Sequence, residues 1–234
     1  MYGLNAVALV FFGCINVLAY QLCKRPEVQR RRIVLVLCAV LLGGNVLRYG
    51  VVYPFVLGVV KLPVEFSTVA YFTVPVILLT SRRRLHSWAA YSGLMAGFFY
   101  YMAMIVAGGA IYGANAPLDV YISMFCHGTI YFCGFVTIGT ELCSAADAPK
   151  LALGVALVGL RAALLRPFVA DSEQLLIYIL LDAAAVRQLL PQSTWAVALP
   201  VYYVALAAFV LLTIRGFFHR NHRQYRKFSA VPAC

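Results

Sequence analysis

Two hydroxyl residues and a histidine lie inside apolar stretches of this sequence. Ser67 and Thr68 follow the start of the stretch Leu62–Thr80, and His127 lies within Tyr121–Thr140. His127 is the only one of the four histidines that falls inside an apolar span. Because an imidazole can be the general base for a hydroxyl nucleophile, this combination could attack an ester. We expect two facing helices that bring a hydroxyl and the imidazole together within a membrane.

The two groups have similar depths when residues are counted along ideal helices. Ser67 comes about 7.5 Å after the start of its stretch, and His127 comes about 9 Å after the start of its own. Arg48 and Arg166 also fall near the same side of the predicted spans. We therefore expect the polar residues to gather in the outer half of the bundle, where a pocket could open to the outer leaflet.

Each candidate also has a structural interpretation. Ser67 and Thr68 can bond back to the carbonyl four residues earlier, as hydroxyl residues in membrane helices often do. His127 can join two helices through a hydrogen bond. Tyr131, one turn after His127, could orient the imidazole or pack in the core. Cys126 should face away from the imidazole, which makes it a weaker nucleophile candidate than Ser67.

Three charged residues near these spans, together with Tyr131, are candidates for substrate binding. Glu65 follows Pro63 and can stabilise the N-terminus of a helix, or it can pair with Arg48 or Lys61. Arg48 and Arg166 can hold a phosphate, or their side chains can extend to the membrane interface.

The composition predicts an all-α membrane protein. The chain has 63% hydrophobic residues, 12% charged residues and a mean hydropathy of +0.86, whereas soluble domains carry roughly 25% charged residues. The net charge of +11 lies at the ends of the apolar runs, which argues against a nucleic-acid partner. The seven cysteines have no zinc-binding spacing, and no second histidine accompanies His127, so we predict no metal and no cofactor.

The apolar runs have the length that a bilayer requires, about 20 residues. They predict seven spans at approximately 4–22, 33–49, 62–80, 88–108, 121–140, 151–165 and 194–218. The beginning of the chain lacks a basic region and a cleavage site, which favours a first span over a signal peptide. Residues 1–218 then form one transmembrane domain, and residues 219–234 form a basic tail.

Two further segments are less regular. Gly50–Lys61 contains Gly50, Pro54 and Gly58, and it predicts a re-entrant or interfacial connection. Gln174–Gln188 could form a helix that lies at the interface.

The basic residues predict the orientation of the seven spans. Fourteen of the 19 Lys and Arg residues fall on the side that holds the connection after span 1 and the C-terminal tail. The remaining five are Arg48, Lys61, Arg161, Arg166 and Arg187. Because cytoplasmic loops are enriched in Lys and Arg, this asymmetry predicts an outside N-terminus and a cytoplasmic C-terminus.

A family resemblance lies in three stretches, LPVEFSTVAYFTVPVILLTSRRRL, YSGLMAGFFYYMAMI and ISMFCHGTIYF. They resemble the YwaF-like family of bacterial integral membrane proteins. In that family, span 3 opens with Leu-Pro-x-His-x-Cys, span 4 carries a Gly-Leu-x-Gly-like stretch, and span 5 carries a His-Gly pair. Gly93–Gly97 matches the second pattern, and His127 with Gly128 matches the third. The resemblance extends from about Arg48 to Thr140.

Related proteins suggest a chemistry for these motifs. Relatives in animals include a phospholipid acyltransferase that uses Cys and His. More distant relatives, the androgen-induced membrane hydrolases, use Thr and His on lipid esters. The present chain departs from the family pattern, with Ser67 at the cysteine position and Glu65 at the preceding histidine position. A serine keeps a nucleophile but needs a base to activate it.

We therefore expect a membrane-embedded lipid acyl hydrolase or acyltransferase. Ser67 or Thr68 would attack the ester, His127 would be the base, and Arg48 or Arg166 would hold the head group. The expected partner is a membrane lipid, in a bacterial inner membrane or a eukaryotic endomembrane. The alternative is a non-enzymatic multi-pass protein such as a small transporter, a sensor or an assembly factor. The sequence leaves the oligomeric state open.

Overall fold

Long apolar runs with few charges favour helices, because only a helix satisfies its own backbone hydrogen bonds in a bilayer. The computed structural model describes residues 2–59, 61–112, 117–169, 175–180 and 182–229, and no strand occurs in these ranges. The α-helices are α1 (Tyr2–Cys23), α2 (Glu27–Leu47), α3 (Phe66–Leu79), α4 (His86–Tyr112), α5 (Pro117–Thr140), α6 (Ala148–Leu165), α7 (Leu175–Leu180), α8 (Ala184–Leu189) and α9 (Trp195–Ser229). The prediction of an all-α, polytopic membrane bundle is confirmed.

Six helices of the described residues are long and apolar enough to cross a membrane, by length and composition. They are α1, α2 with its continuation, α4, α5, α6 and α9. The remaining predicted span corresponds to α3, which has 14 residues and is about 21 Å long. Since the hydrocarbon core is about 30 Å thick, α3 is shorter than a full span. The count of seven spans and the orientation stay predictions.

The segment after Gly50, predicted to be a re-entrant or interfacial connection, is not broken at Gly50 or Pro54, and its position relative to a membrane stays a prediction. The helix continues from α2 as a π-helix over Arg48–Val56, and it ends in a turn where Gly58 has a φ of +64°. The ring of Pro54 would clash with the carbonyl four residues earlier in an α-helix. The wider π turn bonds each N–H to the carbonyl five residues earlier, which accommodates the proline without a break.

Helix α3 begins four residues later than the sequence predicts. The guanidinium of Arg161, from α6, donates a hydrogen bond to the carbonyl of Pro63. Val64 is fully buried in a small cluster with Ala162 of α6. These contacts hold the chain in a non-helical conformation before Phe66, so tertiary contacts override the local helical pattern.

Helix α5 lies at the centre of the bundle. It packs against α1, α2, α3, α4 and α9. In its most apolar 18-residue segment, 78% of the residues are buried. Glycines allow α4 to approach it closely. A Cβ atom on Gly97 would lie 2.4 Å from the Cβ of Tyr131, and one on Gly93 would lie 2.5 Å from the carbonyl oxygen of Ile130. The Gly93–Gly97 stretch therefore has a packing role, as small residues have at membrane helix interfaces.

Asn221 joins the C-terminal part of α9 to the end of α5. Its side chain accepts a hydrogen bond from the N–H of Cys143 at 2.9 Å and donates to the carbonyls of Ile138 at 3.0 Å and Glu141 at 2.7 Å. We call Asn221, Cys143, Ile138 and Glu141 the Asn221 clasp. The predicted basic tail is helical as far as Ser229, and residues 230–234 lie outside the described residues.

The segment predicted as one interfacial helix, Gln174–Gln188, contains two short helices, α7 and α8. Ala183, which precedes α8, has a φ of +43°, and this left-handed conformation interrupts a continuous helix. Gln174 and residue 181 lie outside the described residues, as do residues 113–116 of the predicted loop after span 4.

Candidate functional site

The imidazole of His127 is surrounded by side chains from three helices. Tyr71 comes from α3, Tyr100 comes from α4, and Ser123 precedes His127 by one turn on α5. We call these four residues the His127 cluster. The hydroxyl of α3 that contacts the imidazole of α5 is the phenol of Tyr71, whereas the sequence pointed to Ser67 or Thr68.

Tyr71 and Ser123 supply the hydrogen-bond partners of the imidazole. The Tyr71 hydroxyl lies 2.6 Å from Nδ1 and 3.1 Å from Nε2 of His127. The backbone carbonyl of Ser123 lies 2.8 Å from Nδ1, and the Ser123 hydroxyl lies 3.4 Å from the same atom.

The contact with the Ser123 carbonyl assigns the proton to Nδ1, whereas the Tyr71 hydroxyl lies near both ring nitrogens and can be donor or acceptor to either. A carbonyl oxygen can only accept a hydrogen bond, so Nδ1 donates to the carbonyl of Ser123. In a neutral imidazole Nε2 is then the acceptor, and Tyr71 can donate its hydroxyl proton to it. None of the described carboxylates contacts His127, so nothing in the cluster favours an imidazolium.

Aromatic rings close the cluster off from its surroundings. The ring of Tyr100 stacks on the imidazole with 3.6 Å between centroids and 8° between planes. The ring of Tyr71 approaches it edge-on. His127 is only 6% exposed and Tyr71 only 3%. In this conformation the imidazole can exchange protons with Tyr71, and the described side chains cover most of its surface.

The direct pairing of Ser67 with His127 is not found. Ser67 is half-buried, and within the described residues no hydrogen bond joins it to His127. Because α3 begins at Phe66 and α5 at Pro117, Ser67 is in the first turn of its helix while His127 lies about 15 Å along its own. The equal depths predicted from the sequence assumed helix starts at Leu62 and Tyr121, whereas the helices begin at Phe66 and Pro117. The longer side chain of Tyr71, one turn after Ser67, reaches the imidazole instead.

The hydroxyl of Thr68 serves the backbone. It donates a hydrogen bond to the carbonyl of Glu65 at 2.8 Å, three residues earlier. This is the structural alternative that the sequence left open, with a spacing of three residues where four were expected.

Tyr131 does not orient the imidazole. Its hydroxyl donates to Asn16 of α1 at 2.8 Å and lies 3.3 Å from the guanidinium of Arg220 of α9. Its ring packs against Phe12. Although Tyr131 is one turn from His127, its side chain extends toward α1, so it joins α1, α5 and α9.

The pairing of Arg48 with Glu65 that the sequence suggested is not found among the described contacts of Arg48. Its guanidinium lies 3.2 Å from the carboxylate of Asp119, at the beginning of α5. Glu65 instead accepts a hydrogen bond from the backbone N–H of Leu176, with its two carboxylate oxygens at 3.0 and 3.2 Å. That N–H is in the first turn of α7, so Glu65 stabilises the start of another helix and not that of α3.

Arg166 forms an ion pair with Asp182, the residue that precedes α8 by two positions. Among the described residues, the guanidinium of Arg48 contacts Asp119 and the ring of Tyr53, and that of Arg166 contacts Asp182. Each guanidinium already has a carboxylate partner, which a bound phosphate would have to replace or share.

The sequence analysis did not identify Tyr71, Tyr100 and Ser123. Helical spacing could have suggested two of them, because Tyr71 is four residues after Ser67 and Ser123 is four residues before His127. Tyr100 had no such signal, since its contact with His127 depends on how closely α4 approaches α5. Among the described residues, no three His, Cys, Asp or Glu side chains lie together as a metal site would require.

Comparison with protein-family models, with curated proteins and with solved structures finds no match for this chain. Membership of the YwaF-like family therefore stays a prediction, based on the three stretches that carry the resemblance.

Proposed function

We propose that the protein is a membrane-embedded hydrolase or acyltransferase that acts on an acyl ester of a membrane lipid, with His127 as the general base. The contact between the Tyr71 hydroxyl and the imidazole supports this proposal. A hydroxyl, a base and a group that orients the base form the arrangement that activates a nucleophile. Here the orienting group is the carbonyl of Ser123, which fixes the proton on Nδ1. The YwaF-like resemblance points to the same class of substrate.

The proposed reaction begins at Tyr71, which replaces Ser67 as the nucleophile. Nε2 of His127 accepts the hydroxyl proton while the Tyr71 oxygen forms a bond to the carbonyl carbon of the ester. The bond from that carbon to the lipid alcohol oxygen then breaks, and this oxygen takes the proton back from Nε2. Water or a second lipid alcohol then attacks the acyl carbon and gives its proton to Nε2, the bond from that carbon to the Tyr71 oxygen breaks, and this oxygen takes the proton from Nε2. Attack by water gives hydrolysis, and attack by the lipid alcohol gives transfer.

The surroundings of the cluster suit an acyl chain. The residues around it are apolar or aromatic, and exclusion of water strengthens polar contacts at the reacting centre. Because His127 and Tyr71 are enclosed, a lipid can reach them only when α3 or α4 moves away from α5. Arg48 and Arg166 stay the proposed ligands of the lipid phosphate.

The test is turnover of a panel of phospholipid and neutral lipid esters by the purified protein in detergent. We expect His127→Ala and Tyr71→Phe to abolish turnover, and Ser67→Ala to retain it. Tyr71→Phe is the sharper variant, because it removes only the hydroxyl and keeps the packed ring. Turnover by Tyr71→Phe at the rate of the native protein would refute the role of Tyr71. Loss of turnover in Ser67→Ala would restore Ser67 as the proposed nucleophile. Absence of turnover by the native protein over the whole panel would refute the enzymatic proposal.

A second candidate is a non-enzymatic multi-pass protein, such as a small transporter, a sensor or an assembly factor. The enclosure of His127 favours it, since both ring nitrogens have partners and Tyr100 covers one face. A histidine that only joins helices needs no more than this. On this proposal, Tyr71→Phe lowers thermal stability, and no ester is turned over by the native protein or by any variant.

A further inference from the structure

A cleft of about 610 Å³ lies between α1 and α2, with α5 as its floor. Helix α1 packs on α4 and α5, whereas α2 packs on α3 and α5, so the two consecutive helices leave a gap between them. Most of the lining is apolar and includes Phe11, Ile15 and Leu18 of α1, Ile33 and Leu37 of α2, and Phe132 of α5. The cleft opens to the surface, because Leu18 at its edge is 60% exposed.

Polar side chains gather at one end of this cleft, and Thr129 of α5, whose hydroxyl donates to the carbonyl of Phe125 at 2.9 Å, is the other polar residue of the lining. Gln21, Arg25 and Gln29 lie at that end, at the connection between α1 and α2. No hydrogen bond or ion pair with a described residue engages the guanidinium of Arg25. The neighbouring Arg30, by contrast, donates to the carbonyls of Cys23 and Arg25 at 3.1 and 3.0 Å. The end of the cleft therefore offers an exposed positive charge and two amides.

The length of the cleft matches one leaflet of a bilayer. From Phe11 to Leu22 the lining of α1 extends about 16 Å, and half of a hydrocarbon core of about 30 Å is about 15 Å. Its polar end then falls at the membrane interface and its apolar part within the acyl region. A groove with this division of polarity fits a single phospholipid better than it fits a protein segment.

We propose that the cleft binds one anionic glycerophospholipid, with an acyl chain between α1 and α2 and the phosphate at Arg25. The predicted orientation places this end in the cytoplasmic leaflet, which is the leaflet that carries anionic lipids. The connection from Leu22 to Arg32 has five basic residues and a single acidic one, Glu27, so its charge is complementary to such a head group. The site is separate from the His127 cluster, because no residue of that cluster lines the cleft. The inference thus extends beyond the proposed function.

The head-group contact is tested by native mass spectrometry of the full-length protein in detergent. The protein is titrated with palmitoyl-oleoyl phosphatidylglycerol and, separately, with palmitoyl-oleoyl phosphatidylcholine. We expect tighter binding of phosphatidylglycerol, and Arg25→Gln should weaken that binding roughly fivefold, the effect of one basic contact near a membrane surface. The matched control is Arg32→Gln, which removes the same charge from an exposed position outside the cleft. An equal loss in both variants, or equal binding of the two lipids, would overturn the proposal.

The acyl-chain contact is tested by the same leucine-to-tryptophan substitution at one position inside the cleft and at one position outside it. Leu18→Trp should fill the cleft and lower the occupancy of both lipids, whereas Leu9→Trp, at a position of α1 that is 57% exposed and outside the cleft, should leave it unchanged. Full lipid occupancy in Leu18→Trp would refute the site. Both positions are exposed, so neither substitution needs the core to repack.

Discussion

The Asn221 clasp and the His127 cluster both bury a polar side chain against α5, but they differ in what that side chain bonds. Asn221 is fully buried and all of its partners are backbone groups, in Cys143, Ile138 and Glu141. His127 bonds one backbone carbonyl of its own helix and the side chain of Tyr71 on another helix.

This difference separates a structural role, that of Asn221, from a possible role in proton exchange, that of His127 and Tyr71. The carbonyls at the end of α5 have no partners within that helix and need some other donor, which Asn221 supplies. No backbone group of α3 depends on the contact between Tyr71 and His127. The phenol and the imidazole could exchange a proton without any loss of secondary structure. Substitutions in the two regions should accordingly affect different properties.

The largest effect should be seen at Cys143, the thiol that the clasp buries. Burial raises the pKa of Cys143 to about 12, and only the thiolate reacts with a maleimide. At pH 8 we expect labelling by N-ethylmaleimide about a thousand-fold slower than for an unstructured peptide of the same local sequence. The rate should rise as the pH is increased, because more thiolate forms. Peptide mapping by mass spectrometry measures the rate, and labelling of the folded protein at the rate of the peptide would show that the clasp is open.

Asn221→Ala should cost about 3 kcal/mol of stability, because it leaves the N–H of Cys143 and the carbonyls of Glu141 and of Ile138 at the end of α5 without that partner. Thermal unfolding in detergent, followed by circular dichroism, measures the loss. His222→Ala is the control, since His222 is the next residue and is exposed. A change in Asn221→Ala no larger than that in the control would contradict a structural role for the clasp.

Gly97→Ala should cost about 2 kcal/mol, as overpacking of a close interface typically does. The new methyl group would lie 2.8 Å from the carbonyl oxygen of His127 as well as against Tyr131, so α4 must move away from α5. Gly44→Ala is the matched control, because nothing lies within 4 Å of a Cβ at Gly44. In a helix that change should be neutral or slightly stabilising. Unfolding temperatures of the two variants in one detergent decide the matter.

Tyr71→Phe should cost only about 1 kcal/mol of stability, the usual value of one hydrogen bond between membrane helices. Its unfolding curve is compared with that of Tyr121→Phe, which removes the hydroxyl of an exposed tyrosine on α5. A loss as large as that of Asn221→Ala would mean that the two regions do not differ in the way described above.

Arg48→Gln should have the smallest effect, at most about 1 kcal/mol, because its partner Asp119 has a side chain that is 60% exposed. High salt should reduce even this contribution. Unfolding of the native protein and the variant at low and high salt provides the measurement. A loss that is large and independent of salt would indicate a buried role for Arg48.

The sequence predicted the helical class well and the contacts of the site only in part. Apolar runs located the long helices because bilayer length constrains them strongly. The facing of α3 and α5 was anticipated from polar residues in apolar stretches. The identity of the hydroxyl was not anticipated, because Leu62–Glu65 looked helical. The local sequence pattern also does not reveal that Pro63 contacts Arg161. Arg48 likewise gave no sign that its partner would be Asp119, which is 71 residues away in the chain.

By itself, the sequence determined that this chain is a multi-pass helical membrane protein and placed His127 within one of its apolar runs. Hydropathy and length suffice for that result, since backbone hydrogen bonding in a bilayer permits few alternatives. Only the tertiary structure decided that Tyr71 contacts His127, that Tyr100 covers the imidazole and that α1 and α2 leave a cleft. Those contacts depend on helix starts, on the close approach allowed by Gly97, and on which helices pack together. No local pattern encodes these distances.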